Sequence, residues 1–136
     1  MDFDKTLTIA AAGMRAQTER MRVIAENIAN SNSTAHSAKE DPYRRQVPTF
    51  GAELDKALGI KVVKVDGTIQ DMSEFRREYN PGHPAADKDG YVKLPNVNQL
   101  VEMMDMREAQ RSYEANVTVI DAGRTMMART LDLLKR

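Results

Sequence analysis

The stretch NQLVEMMDMREAQRSYEANVTVIDAGRTMMARTLDLL, residues 98–134, decides the fold class of this chain. It contains no proline, and a mostly apolar stripe runs through it at steps of three and four residues. Such a stripe is typical of a long helix that packs along a partner helix. We predict a helix over residues 97–136, with Asn96 or Asn98 as its N-cap. The stripe consists of Met103, Met106, Gln110, Tyr113, Val117, Ile120, Arg124, Met127, Leu131 and Leu134.

A second heptad stripe lies at the other end of the chain and predicts a helix over residues 1–30. It consists of Leu7, Ala11, Met14, Thr18, Met21, Ala25 and Ile28, and Ile24 widens it. The simplest partner for either stripe is the other one, so we expect an antiparallel, coiled-coil-like pair of terminal helices. Two helices cannot cover every apolar face of one another. The surplus, rich in adaptable Met side chains, predicts packing against further molecules.

The segment between the helices, residues 31–96, has a different character. All five prolines of the chain fall within it. IKVVKV at residues 60–65 is β-like, and the Asp-Gly pair in Val65–Thr68 is the strongest hairpin signal of the chain. We therefore predict a polar loop and a small β-hairpin region inserted between the helices. The predicted fold class is mainly α with a small β region, in which the two terminal helices form one α domain.

Composition excludes several classes of partner. Lys and Arg total 20 and Asp and Glu total 20, so the net charge is zero and no basic excess favours nucleic acid. No apolar run approaches the roughly 20 residues of a membrane span, and the N-terminal segment lacks the apolar core of a signal peptide. We expect no direct membrane insertion. The chain has no cysteine, which rules out disulfides and cysteine-ligated metals.

The residue types also argue against catalysis and metal binding. No acid, base and nucleophile can be assembled from the motifs of the chain. His36 and His83 are its only histidines, and neither has a second ligand at helical or hairpin spacing. DKDG at residues 87–90 places its glycine too early for a calcium loop, which makes it a turn. We predict that the chain is not an enzyme and holds no cofactor or metal.

Several blocks of the sequence resemble a known family. AENIANSNST at residues 25–34 and the stretch at residues 98–134 resemble the paired terminal signatures of bacterial flagellar rod and hook proteins. PYRRQVPTF at residues 42–50 and YNPGHPAADKDGYVKLPNVN at residues 79–98 resemble the proximal rod proteins of the flagellar basal body, the FlgC type. The resemblance covers nearly the whole chain and weakens only between about residues 51 and 76.

The resemblance implies a structural subunit of the rod, a helical tube that crosses the periplasm and links the motor to the hook. Its implied partners are copies of itself, other flagellar rod proteins and the rod-to-export-gate adaptor. It also implies export through the flagellum's own type III machinery and an absence of catalytic residues. A cytoplasmic coiled-coil adaptor or export chaperone is the alternative, because two amphipathic helices suffice for it. Such an adaptor has no use for the β-like middle segment.

Within this resemblance, the stripes become candidate subunit-packing residues. They are Leu7, Ala11, Met14, Met21, Ile24, Ile28, Met103, Met106, Tyr113, Val117, Ile120, Arg124, Met127, Leu131 and Leu134. Asn27 and Asn30, where the first helix runs into the polar loop, are candidate contacts with neighbouring subunits. Arg124 is a charge on an apolar stripe, so we predict that it pairs with Glu19, Glu26 or an acid of another subunit and fixes the register between subunits. The alternative is a side chain that reaches solvent at the edge of the stripe.

Overall fold

A computed structural model describes residues 2–135, so residues 1 and 136 of the two predicted helices lie outside the described part. The elements in chain order are α1 (Phe3–Ala29), β1 (Gln46–Asp55), β2 (Ile60–Gln70), β3 (Arg76–Tyr79), β4 (Tyr91–Leu94) and α2 (Gln99–Leu134). Two long terminal helices pack together, with a small antiparallel β region between them, which confirms the predicted fold class. Neither described helix has an apolar stretch of the length that a bilayer crossing needs.

Polar side chains define the ends of both helices. Asn98, rather than Asn96, is the N-cap of α2, because its Oδ1 accepts hydrogen bonds from the N–H groups of Leu100 at 3.0 Å and Val101 at 3.4 Å. At the end of α1, Asn30 donates its side-chain amide to the Glu26 carbonyl at 2.9 Å. The same carbonyl also accepts the backbone N–H of Asn30 at 3.0 Å, so Asn30 binds the last turn of the helix through both its backbone and its side chain.

The first two strands form a two-stranded sheet whose turn is not the predicted one. The Asp-Gly pair within Val65–Thr68 lies inside β2. The chain turns instead between Asp55 and Ile60, where the Asp55 carboxylate accepts the N–H groups of Ala57 at 3.0 Å and Leu58 at 3.2 Å. Gly59 follows in a left-handed conformation with φ of 64°. The side-chain cap and the glycine together supply what a tight turn requires.

Strands β3 and β4 form a second antiparallel pair, in which Arg76 lies opposite Leu94 and Tyr79 opposite Tyr91. The two tyrosine rings meet edge to face, with centroids 5.4 Å apart. The predicted turn at residues 87–90 is present, because the Asp87 carboxylate accepts the N–H groups of Asp89 and Tyr91, each at 2.9 Å. Gly90 closes the turn with φ of 85°.

The chain divides into two compact units, and the first consists of the described residues of Met1–Met21, Thr49–Gly67 and Arg107–Arg136. Small residues bring α1 and α2 close together in it, and Ala10, Ala12, Ala16 and Ala109 are buried. A Cβ added to Gly13 would lie 3.1 Å from Asn116 Cγ, and one added to Gly123 would lie 3.2 Å from Leu7 Cδ2. Residue numbers rise on one helix as they fall on the other, so the pair is antiparallel as predicted.

The second unit consists of Arg22–Pro48 and Thr68–Met106. Its apolar core draws on α1 and on the segment around β4, with Val23, Ile24, Ala85, Val92, Pro95 and Val97 buried. Its most buried polar side chains are Asn27, Ser31 and Glu102, each at most 1% exposed. A buried carboxylate requires compensation by hydrogen bonds and opposite charge. The compensation comes from the connection between α1 and β1.

Candidate functional site

A network of hydrogen bonds is built around the end of α1, and Asn27 is its centre. The Asn27 amide donates to the Gln46 carbonyl at 2.8 Å and to Glu102 Oε2 at 3.2 Å. Its Oδ1 accepts the Gln46 N–H at 2.9 Å and the Tyr43 hydroxyl at 2.8 Å. Two donor and two acceptor positions are all that an asparagine side chain has, and each is used within the chain. The predicted contact of Asn27 with a neighbouring subunit therefore does not fit, whereas half-buried Asn30 keeps that prediction open.

Arg45 supplies the charge that Glu102 requires. Its Nε donates to Glu102 Oε1, while Nη1 lies 3.6 Å from Asp71 and Nη2 lies 3.5 Å from Asp105. Burial alone would lower the pKa of Arg45, but the hydrogen bond and charge of Glu102 outweigh burial and, with Asp71 and Asp105, raise this pKa. The guanidinium therefore stays charged and compensates a carboxylate that water does not reach. We call Asn27, Tyr43, Arg45, Gln46 and Glu102 the Asn27 cluster.

Neighbouring contacts hold the rest of this segment in place. Burial, and then the charges of Glu26 and Glu102, raise the pKa of the Tyr43 hydroxyl, which keeps it a donor to Asn27. The Ser31 carbonyl accepts Arg76 Nη2 at 2.9 Å, and the Ser31 hydroxyl accepts Gln99 Nε2 at 2.6 Å. The polar stretch that follows α1 thus packs against side chains of its own chain.

The sequence prediction found Asn27 but missed Tyr43, Arg45 and Glu102. As an acid in the first turn of the last helix, Glu102 would ordinarily be expected at the surface. Its position seven residues before Ala109, in a helix whose contact positions recur every seven residues, is the signal that could have indicated burial. No local pattern marks Arg45, because its partners lie far along the chain.

The second feature is a set of exposed apolar side chains on α2. At the start of the helix, Leu100 is 68% exposed and Met104 is 64% exposed, next to exposed Val101 and Met103. Further along the helix, the exposed apolar residues are Val119, Met126, Leu131, Leu133 and Leu134. Contiguous apolar surface of this kind marks interaction sites, while single exposed apolar residues need no explanation.

The predicted stripe on α2 has the correct period but is displaced by one residue at alternate positions. Buried Glu102, Ala109 and Gly123 occupy the contact positions, with half-buried Asn116 between them. Met103, Gln110 and Arg124, the predicted members that follow Glu102, Ala109 and Gly123, are exposed. The cause is close helix approach, which favours small residues at the contact. The half-buried predicted members are Leu7, Ala11, Met14, Met21, Ile28, Met106, Tyr113, Val117, Ile120 and Met127.

Arg124 lies outside the helix contact, because Gly123 occupies the contact position and packs against Leu7. It is exposed, and among residues 2–135 it has no ionic partner. The predicted pairing of Arg124 with Glu19 or Glu26 of α1 is therefore wrong. Pairing with an acid of another subunit stays a prediction.

Metal ligation has no candidate cluster in the described part of the chain, where no three His, Cys, Asp or Glu side chains converge. His83 instead accepts the Ala85 N–H on Nδ1 at 3.0 Å and contacts the Thr34 hydroxyl through Nε2 at 3.3 Å. Both ring nitrogens thus take part in hydrogen bonds, one within the turn after β3 and one to the loop after α1.

Comparisons with known proteins agree with these features. Residues 88–133 match the family described as flagellar basal body rod FlgEFG protein, C-terminal. The chain is 53% identical to the flagellar basal-body rod protein FlgC of Agrobacterium fabrum over 93% of this chain and 91% of the relative. It is 37% identical to the protein of the same name in Salmonella typhimurium, over 92% of each chain. It is also 37% identical to the flagellar basal-body rod protein FlgC of Aquifex aeolicus, over 99% of each chain.

Proposed function

The chain belongs to the FlgC family of flagellar basal-body rod proteins, and we propose on that premise that it is a structural subunit of the rod. The observation that carries this proposal is the exposed apolar surface of α2. Leu131 is 53% exposed and Leu134 is 78% exposed, so two large apolar side chains near the end of α2 face solvent. Such side chains are stabilised when another subunit removes them from water.

We further propose which molecules cover this surface. Copies of the chain and other flagellar rod proteins would pack against α2, and the rod-to-export-gate adaptor would meet one end of the assembly. The exposed Met103, Met104 and Met126 suit this role, because methionine adapts to partners of slightly different shape. The subunit would thus form part of a tubular drive shaft that crosses the periplasm and connects motor to hook.

The family is one of structural proteins and is not a known enzyme family. We propose accordingly that the chain has no catalytic activity and needs no cofactor, and that its function is mechanical. This proposal depends most directly on the apolar members of the predicted subunit-packing residues that face solvent on α2, which are Met103, Leu131 and Leu134.

In the experiment, the native gene of a motile bacterium is replaced by one that encodes Leu131→Glu. The number of hook-basal bodies recovered per cell is then counted. We expect a large loss, because the carboxylate would be buried against an apolar neighbour at a cost of several kcal/mol per interface. Thr125→Glu is the matched control, since it adds the same charge at an exposed threonine that lies two residues from the contact position Gly123 and so points away from the contact face. Normal recovery with Leu131→Glu, at unchanged protein level, would contradict the proposal.

A further inference from the structure

The contact between α1 and α2 repeats every seven residues on both helices. On α1 the contact residues Gly13, Arg20 and Asn27 are spaced by seven. On α2, the contact positions Glu102, Ala109, Asn116 and Gly123 have the same spacing. A slide of one helix by seven residues, about 10 Å at 1.5 Å per residue, would bring equivalent positions face to face again. Small and apolar contacts alone therefore distinguish poorly between the two alignments.

The Asn27 cluster is the part of the contact that such a slide would destroy. Asn27 would then face Ala109, which offers no hydrogen-bonding side chain to its buried amide. Glu102 would lose the Asn27 amide and its closeness to Arg45, so that a fully buried carboxylate would lack compensation. An uncompensated buried charge is among the most unfavourable features a protein interior can contain.

We propose that the Asn27 cluster is the register device of the helix pair, which selects one alignment from those that the heptad repeat permits. A single buried polar residue performs this role in coiled coils, where it specifies register at a cost in stability. Here the cluster also engages Tyr43 and Gln46, so the same hydrogen bonds fix where β1 begins relative to α1. The inference concerns the folded chain and does not depend on the proposed function.

The register role has a signature that distinguishes it from simple stabilisation. Replacement of a buried ion pair by apolar residues of similar volume is often neutral or stabilising, while removal of one partner is strongly destabilising. The paired change Arg45→Met with Glu102→Leu should therefore retain the helical fold. Adding Asn27→Leu to this pair removes the polar requirement of the cluster completely and gives the second variant. Both should lose the restriction to one alignment.

Cysteine pairs can report the alignment, because the chain has no cysteine of its own. A Cβ on Gly13 would lie 3.1 Å from Asn116 Cγ, close to the separation of one Cβ from the partner sulfur in a disulfide. Gly13→Cys with Asn116→Cys thus reports the observed alignment. Gly13→Cys with Gly123→Cys reports the slide by seven residues in which Asn27 faces Ala109. Intramolecular disulfides are measured in the full-length protein by peptide mass spectrometry after mild oxidation, with helix content followed by circular dichroism.

In the otherwise native chain, only the Asn116→Cys pair should oxidise efficiently. In both cluster variants, we expect the Gly123→Cys pair to form a disulfide at a yield at least tenfold above that in the native chain. Arg20→Met with Glu108→Gln is the matched control, because it removes an ion pair of the same helix contact whose Glu108 is exposed, and it should not change the pattern. Cluster variants that keep their helix content yet cross-link only in the observed alignment would overturn the proposal. Loss of helix content in both variants would also overturn it, since the cluster would then supply stability rather than register.

Discussion

At the scale of single residues, Gly90 is a position where backbone conformation and packing act together. Its φ of 85° is unfavourable for other residues, and an added Cβ would lie 2.9 Å from Tyr79 Cε2. We expect Gly90→Ala to lower the free energy of unfolding by about 1–2 kcal/mol or more. Gly82→Ala lies in the same loop, but its added Cβ would come no closer than 3.9 Å to Asn80 Oδ1, so it should change the free energy of unfolding little. Urea unfolding of the two variants makes the comparison, and equal effects would contradict it.

Asp71 is a residue whose charge contributes to stability in a defined pH range. The backbone N–H and hydroxyl of Ser73, and then Arg45, lower the pKa of the Asp71 carboxyl. Its folded pKa lies below its unfolded value of about 3.9, so the stabilisation is present above that pH and is lost as pH falls through the folded pKa. Asp71→Asn should therefore be less stable than the native chain near neutral pH, with a smaller difference at about pH 3. A difference that does not shrink on acidification, measured by urea unfolding, would argue against this role.

At the scale of secondary-structure elements, the start of α2 depends on one side chain. Asn98 accepts hydrogen bonds from two N–H groups of the first turn, those of Leu100 and Val101. We expect Asn98→Ala to destabilise the protein by about 1 kcal/mol, as loss of an N-cap generally does. Asn98→Ser preserves an acceptor and should retain most of the stability. Thermal unfolding followed at the helix signal tests both, and equal midpoints for the Ala and Ser variants would refute the capping role.

The helices also show which parts of the fold the sequence could predict. Their existence, antiparallel pairing and seven-residue period follow from the recurrence of apolar residues. The phase could not be predicted in the same way, because the large side chains of Met103 and Val117 dominate the pattern while Ala109 and Gly123 make the contact. A prediction based on side-chain size therefore selects a helix face that is displaced by one residue, or about 100° around the helix axis.

The hairpin of β1 and β2 was predicted with the wrong turn for a comparable reason. The Asp-Gly pair at Asp66 and Gly67 is a strong local signal, but strand pairing extends through it. The turn at Asp55 depends on a side-chain cap and on Gly59, neither of which stands out in sequence. Local turn propensity is overridden when a longer pairing of strands is available.

At the scale of the whole molecule, the Asn27 cluster was beyond prediction from sequence because its members come from three separate parts of the chain. Asn27 belongs to α1, Arg45 to the segment before β1, and Glu102 to α2. Sequence periodicity reports which face of an element is apolar, but it carries no signal for which loop covers that face. The candidate assembly surface was easier to predict, since the surplus of Met and Leu on α2 is visible in composition alone.

The last prediction concerns Arg124 and separates contacts within the chain from contacts between chains. Arg124 is exposed and has no ionic partner within the described part of the chain, so its substitution should alter the stability of the isolated protein by less than about 0.5 kcal/mol. If Arg124 meets a carboxylate of another subunit, Arg124→Glu will set like charges against each other and reduce the recovery of hook-basal bodies far more than Arg124→Met. For both variants, unfolding of the isolated protein reports contacts within the chain, and the recovery of hook-basal bodies reports contacts between chains. Equal recovery for Met and Glu would show that Arg124 remains in water in the assembled rod, and the register role between subunits would have to be abandoned.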